Sequence, residues 1–298
     1  MDSEIKKCTF EFYTCELTPM TTNVLFLPTE LQDDFNVTTI EELKQKKNMI
    51  FSNAIQSPLF HLRHRRKQLH HKVLYGDENY IVLKIANSKF IKAEVDFKKV
   101  QYPHEPSILI VIDNRPDKQQ IAIEKNIAVF STTETIVNSF KKAVERILLK
   151  YYLVADINNR FRPSDFWEMI REHPQITELK IELTRENLAD IYQTLSKQIA
   201  DYGDLTNSQR VILTQQAPKE SILENLDRNN ATLVDIVDAA SKGTGPISLK
   251  VVGSKKQIST KNSRITNQVD IDVTAEGLTG EQAENLADKI FKVLNNGD

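Results

Sequence analysis

The chain has 298 residues, 40% hydrophobic and 27% charged, enough apolar material for a real core and a length that predicts two domains. That composition excludes a wholly disordered chain. A formal net charge of -2 excludes a globally basic protein, so attraction to a polyanion has to come from local patches, for which residues 61 to 72 and the lysines near 250 to 264 are the candidates.

The first predicted element is a strand over CTFEFYTCEL. Its two cysteines, Cys8 and Cys15, are seven positions apart, an odd spacing that points them to opposite faces and argues against a structural disulfide. The opening MDSEIKKCTFEF has no apolar run after its basic residues. No stretch approaches about 18 consecutive apolar residues either, so neither a signal peptide nor a membrane span is expected. The reading is a protein of the reducing cytoplasm.

TTIEELKQKKNMIFSNAIQ predicts a helix, and so does the segment after it, FHLRHRRKQLHHKV. In those fourteen positions lie four of the six histidines and five arginines and lysines. A helix would put Leu62, Leu69 and Val73 on one side and Arg63, Arg66, Lys67 and His70, at i, i+3, i+4 and i+7, on another. Cations presented together suit phosphates, because each neutralised phosphate releases counterions. The competing reading is a solvated helix face that happens to be basic. His61, His64, His70 and His71 could supply imidazoles to zinc, but five adjacent cations would repel a dication, and no metal is expected there.

Strands follow over NYIVLKIA, KFIKAEVDF, SILIVID and QQIAIEKNIAVF, β-branched and aromatic runs bounded by Asn, Asp, Pro and Gly. Glu94, Asp96 and Lys98 alternate, so one strand would put them on one face, with Asp77 upstream. The order is similar to the acid, acid-x-lysine pattern of metal-dependent nucleases, where carboxylates hold Mg²⁺ and a lysine positions water. Alternating charge on a half-exposed strand is the plain alternative. The run Ile108 to Ile112 predicts a strand buried on both faces, and DNRPDK a turn in which Asp113 bonds the backbone two residues on, making a central hairpin.

Ile136, Val137, Phe140, Val144, Ile147, Leu148 and Tyr151 then form one apolar stripe, predicting a long helix over 133–151. The remainder alternates: strand YYLVADI, helix PSDFWEMIREH with Trp167 packing it onto a sheet, strand ITELKIEL, helix RENLADIYQTLSKQIADY, strand RVILTQQ, and helical segments in SILENLDR and TLVDIVDAASK. Ile247, Leu249 and Val251 alternate with polar residues, as do Val269, Ile271 and Val273, and the two strands are expected to pair, with Lys250 and Lys255 opposite Asp270 and Asp272. Thr279 and Gln282 form a capping box for a final helix.

The fold class expected is α/β, of the mixed α+β kind: a sheet-rich N-terminal region (1–150) carrying the basic helix, packed against a mixed α/β C-terminal region (151–298). GxSxG, HExxH, CxxC, GxGxxG and GxxxxGK[ST] are all missing, and SKGTGPIS reads as a loop.

The succession YPHEPSILIVIDNRPDKQQIAIEKN, FWEMI, ITELKIEL and GTGPISLKVVGSKKQIST with a following VDIDV resembles a family of uncharacterised bacterial proteins, some in mobile or phage-defence gene neighbourhoods. The likeness spans roughly residues 70 to 275 and carries no catalytic residues. What it implies is a bacterial cytosolic setting and a component of an anti-phage system. Together with the basic segment it favours a non-enzymatic module binding DNA, RNA or a protein partner, through Arg63, Arg66, Lys67 and His70 and without a cofactor. The alternatives are a nuclease using Asp77, Glu94, Asp96 and Lys98 with Mg²⁺, and a protein-only assembly factor.

Overall fold

One long strand, β1 (Ile5–Pro19), organises the molecule, because its alternating side chains serve two cores at once. Tyr13, Cys15 and Leu17 face one core, while Cys8, Phe10 and Phe12 face the other. The two cysteines are thus free and buried on opposite faces, as their odd spacing predicts. Burial pushes the Cys8 thiol up to about 11, helped by the Glu124 carboxylate, and raises Cys15 further.

The computed structural model describes residues 5–21, 23–95, 97–184, 205–272 and 276–295. After β1 come α1 (Thr29–Phe35) and α2 (Ile40–Gln56), the latter opened by a reciprocal Thr39–Glu42 capping box. A small hairpin, β2 (Arg63–His64) and β3 (Lys67–Gln68), leads into β4 (His70–Gly76) and β5 (Tyr80–Ala86). A separate ribbon, β6 (Lys89–Val95) and β7 (Lys98–His104), precedes the hairpin β8 (Ser107–Asp113) and β9 (Gln120–Glu124). Then follow α3 (Thr133–Leu148), β10 (Leu153–Asn159), α4 (Pro163–Glu172), β11 (Ile176–Thr184), β12 (Arg210–Gln216) and α5 (Ala231–Ala239). The chain closes with β13 (Ile247–Val251), β14 (Ile258–Ser259), β15 (Thr266–Asp272) and α6 (Gly280–Asn295).

The result is a mixed α/β fold. Seven strands form one antiparallel sheet in the order β10-β1-β9-β8-β5-β4, with β15 sharing the β10 side of β1. Strands from either side of residue 150 therefore lie in one sheet. On one face α1, α2 and α3 cover Ile81, Leu83, Ile110, Ile112, Ile121 and Ile123; on the other α6 covers Phe12, Val82, Val111 and Ile271. The apolar run in β8 is buried from both sides for this reason. At the centre Phe140 lies edge-on to Phe51 (6.3 Å) and Phe60 (5.6 Å), a contact whose truncation would cost about 3–5 kcal/mol.

A second sheet, β12-β11-β13-β14, packs on α4 and α5 over Phe166, Leu179, Ile181, Leu233 and Ile247, with Trp167 on its margin. It is tied to the first by polar bonds at the turn after α5. Thr14 Oγ1 donates to the Lys242 carbonyl at 2.7 Å, Thr184 Oγ1 to the Thr244 carbonyl at 2.9 Å, and Thr184 also bonds Glu16. Asp156 accepts from Lys141 at 2.7 Å and from Arg210 at 3.2 Å. Gly245 is required here: a Cβ would stand 2.1 Å from the Glu182 carbonyl oxygen.

Four expectations are corrected. Residues 60–73 form no helix; Phe60 and Leu62 are buried two apart in extended chain, and Leu69 is buried beside Leu62 because a hairpin turn returns it there. Ile247–Val251 does not pair with Thr266–Asp272: β13 joins β11 and β15 joins β1, since alternation tells that a strand has a buried face and not which sheet covers it. The proposed facing of Lys250 and Lys255 on Asp270 and Asp272 goes with that pairing. SILENLDR is not helical, because the Leu223 N–H bonds the Ile176 carbonyl at 2.7 Å and holds the segment against the sheet edge. The long helix (α3, prolonged by a 3₁₀ turn to Tyr151) and the Thr279–Gln282 capping box are as expected. The helix predicted over RENLADIYQTLSKQIADY lies outside the described residues, as does Val273.

Candidate nucleic-acid interface

The basic segment is a hairpin held at its neck by two buried leucines. Leu62 and Leu69 are anchored in the core, and the Leu69 N–H donates to the Leu62 carbonyl at 2.9 Å. The register pairs Arg63 with Gln68 and His64 with Lys67, leaving Arg65 and Arg66 as the turn. Arg65 is left-handed (φ 56°). Arg63, Arg65, Arg66 and Lys67 are all exposed, and among the described residues none of them is paired with a carboxylate.

The hairpin stands between two depressions. One, of about 610 Å³, is lined by Arg65, Arg66, Lys67, Lys89 and the Val129–Ser131 segment. The other, of about 510 Å³, lies between Arg63, Arg65 and the outer face of α3, where Asn138, Lys142 and Arg146 line it. His64, Arg65 and Thr135 belong to both. Neither lining contains an aspartate or glutamate. The first turn of α3 opens at this rim, with no side-chain cap from Thr132. Seven cations thus border two adjoining depressions that meet at His64, Arg65 and Thr135.

The sequence singled out Arg63, Arg66, Lys67 and His70. The first three border these depressions, by a hairpin and not a helix; His70 has moved on to β4, where Nδ1 is 3.3 Å from Glu105. Glu105 is held below the usual carboxylate range by the Ser88 hydroxyl and then by His70. Arg65, Lys89, Lys142 and Arg146 were missed. Thr135, Asn138, Lys142 and Arg146 recur at helical spacing opposite the apolar stripe of α3, a legible polar face whose neighbour the sequence does not reveal.

The histidines face four different ways. His61 Nδ1 lies 3.5 Å from Gln68, His64 meets Phe130 edge-on at 6.0 Å, His70 meets Glu105, and His71 packs edge-on against Phe60 at 5.3 Å. Burial, and then His61, lowers the pKa of His71. Among the described residues no three His, Cys, Asp or Glu side chains converge as ligands for a metal ion.

Glu94 and Lys98 of the nuclease pattern do not share one strand. β6 ends at Val95, so Glu94 lies on β6 paired with Lys99, and Lys98 lies on β7 paired with Val95. Asp96 lies outside the described residues. Asp77 precedes β5 and the ribbon follows it, so the length of that strand, about 20 Å, intervenes. Asp77 instead caps its own turn, accepting from the Tyr75 hydroxyl at 2.6 Å and from the N–H groups of Asn79 and Tyr80. Asp113 is also a turn residue, bonding the Arg115 N–H at 3.3 Å and its guanidinium at 2.9 and 2.6 Å.

Elsewhere, a cavity of about 690 Å³ lies beside α6, with Cys8, Lys6 and Glu124 in its wall. Lys6 faces Glu124 at 3.5 Å, Glu124 also accepts from the Leu109 N–H at 3.0 Å, and Lys289 donates to the Asp270 carbonyl at 2.7 Å. These groups satisfy one another. Near residue 250, Lys250 and Lys255 border a shallow depression together with Lys219 and Glu220. No helix among the described residues is long and apolar enough to cross a membrane.

No family model, no curated protein and no solved structure matches the chain. The functional reading rests on the geometry above.

Proposed function

We propose that this protein is a nucleic-acid-binding module that grips phosphates in the two clefts beside the β2–β3 hairpin. One observation carries the reading: seven cations (Arg63, Arg65, Arg66, Lys67, Lys89, Lys142 and Arg146) line adjoining depressions that contain no carboxylate. In a chain of net charge -2 such segregation has no folding rationale, because like charges brought together repel. A phosphate backbone relieves that repulsion and releases its own counterions. The separation of Asp77 from Glu94 and Lys98 supports a binding module over a nuclease. The bacterial cytosolic and anti-phage setting implied by the resemblance over residues 70 to 275 belongs to the same proposal.

The test is binding of labelled DNA and RNA by the full chain over a range of salt, beside the variant Arg63→Gln/Arg66→Gln/Lys67→Gln. The wild type binds both polymers with a steep salt dependence, and the variant loses about 2–3 from the slope of log affinity against log salt, at 0.7–0.9 per lost phosphate contact. An unchanged slope in a folded variant overturns the assignment. Failure of the wild type to bind either polymer does so in favour of a protein-only assembly role.

A further inference from the structure

The β6–β7 ribbon stands apart from both large sheets. Its register sets Ile91 opposite Tyr102 and Ala93 opposite Val100, so these four share one face, with Lys89 and His104 paired at its base. Phe90, Lys92, Glu94 and Lys99 are on the other. Neither face is covered: Phe90 is 67%, Ile91 48% and Tyr102 48% exposed. At the tip Phe97 is 98% exposed and has φ 62°. A residue with a Cβ is disfavoured there by about 1–2 kcal/mol, and glycine or asparagine is the usual occupant of such a turn. Neither packing nor turn chemistry selects a phenylalanine at that position.

We propose that the ribbon is an arm that stacks on the bases of single-stranded nucleic acid whose phosphates lie in the hairpin clefts, an inference that rests on the phosphate-binding reading. The two features are continuous, because Lys89, the first residue of β6, also lines the larger cleft. Charge favours the same occupant: the ribbon sequence holds Lys89, Lys92, Lys98 and Lys99 against Glu94 and Asp96. A second copy of the ribbon would meet like charge, whereas a nucleic-acid strand supplies the opposite one. Exposed aromatic rings among lysines are the chemistry of sequence-tolerant base stacking. In a duplex the bases already stack on each other, so the rings can engage only unpaired ones.

The experiment compares a labelled oligo-dT of about 20 nucleotides with a duplex of equal length, using the full chain and the variant Phe97→Asn/Tyr102→Thr. Asparagine keeps the left-handed turn and threonine the strand, so the variant folds, with thermal stability equal or slightly higher. Single-strand affinity falls by about tenfold per ring, while duplex affinity and the salt slope stay as they are, since no charge is removed. Unchanged single-strand affinity overturns the proposal. Equal loss on the duplex does so too, because it marks a ribbon inserted into the major groove. Binding to phosphatidylserine vesicles that the variant alone loses, with oligo-dT binding intact, assigns the rings to a membrane and also overturns it. The cleft and the arm fail separately: the triple glutamine variant reads the salt slope, and the aromatic variant reads affinity at constant slope.

Discussion

Ser139 and Arg63 are joined twice: Ser139 Oγ accepts from the Arg63 backbone N–H at 3.0 Å and donates to the Arg63 carbonyl at 2.7 Å. This reciprocal pair fastens the basic hairpin to α3 and so sets the spacing between Arg63 and the Lys142 and Arg146 side chains across the cleft. Ser139 is 6% exposed, so the Ser139→Ala change leaves a half-buried N–H and C=O without their partner. A loss of about 1–3 kcal/mol is expected in urea unfolding. Nucleic-acid affinity should fall as the hairpin loosens, with every cation still present. A variant as stable as the wild type would mean that the hairpin is held by its leucine neck alone.

That bond also marks the limit of what the sequence reveals. Elements with a sustained period were legible, such as α3 from Ile136, Phe140, Val144 and Ile147, and β8 from Ile108 to Ile112. The 60–73 segment was misread because Leu62, Leu69 and Val73 fit a helix, while Arg65 adopts its left-handed turn without the Gly or Asn that would announce it. The cluster of cations was visible; its shape was not. Lys142 and Arg146 could be placed on the solvent face of α3, but their position opposite Arg63 depends on a tertiary hydrogen bond between residues 76 apart in sequence. Strand pairing failed for a similar reason. The apolar faces of Ile247–Val251 and Thr266–Asp272 are equally satisfied by each other or by two different sheets, and the long β1 supplied the second choice.

If the cleft between the hairpin and α3 holds phosphates, its far wall contributes independently of its near wall. Lys142 and Arg146 are exposed, one helical turn apart, and their replacement by glutamine leaves helix propensity almost unchanged. Lys142→Gln/Arg146→Gln is expected to reduce the salt slope by about 1.4–1.8, twice the 0.7–0.9 per contact, with an unaltered melting temperature. Combined with the Arg63, Arg66 and Lys67 substitutions the reductions should add. A slope unaffected by the α3 pair would confine binding to the hairpin and the larger cleft.

His71 makes the stability of this region depend on pH. Its ring packs against Phe60, and burial, followed by the proximity of His61, lowers its pKa from the ordinary 6.5. As pH falls below 6.5 the unfolded chain takes up a proton at this site before the folded one does. The stabilising contribution is therefore complete above pH 6.5 and is lost as pH falls through the folded value. Glu42, held below its ordinary 4.5 by the Thr38 N–H, acts only in a more acid range, where its contribution is lost in turn. Urea unfolding between pH 7.5 and 5.5 should show a decline that the His71→Phe variant, which cannot titrate, lacks. Proton NMR of the His71 ring gives the direct check: a midpoint at or above 6.5 would refute the sign, and with it the claim that burial beside Phe60 governs this residue.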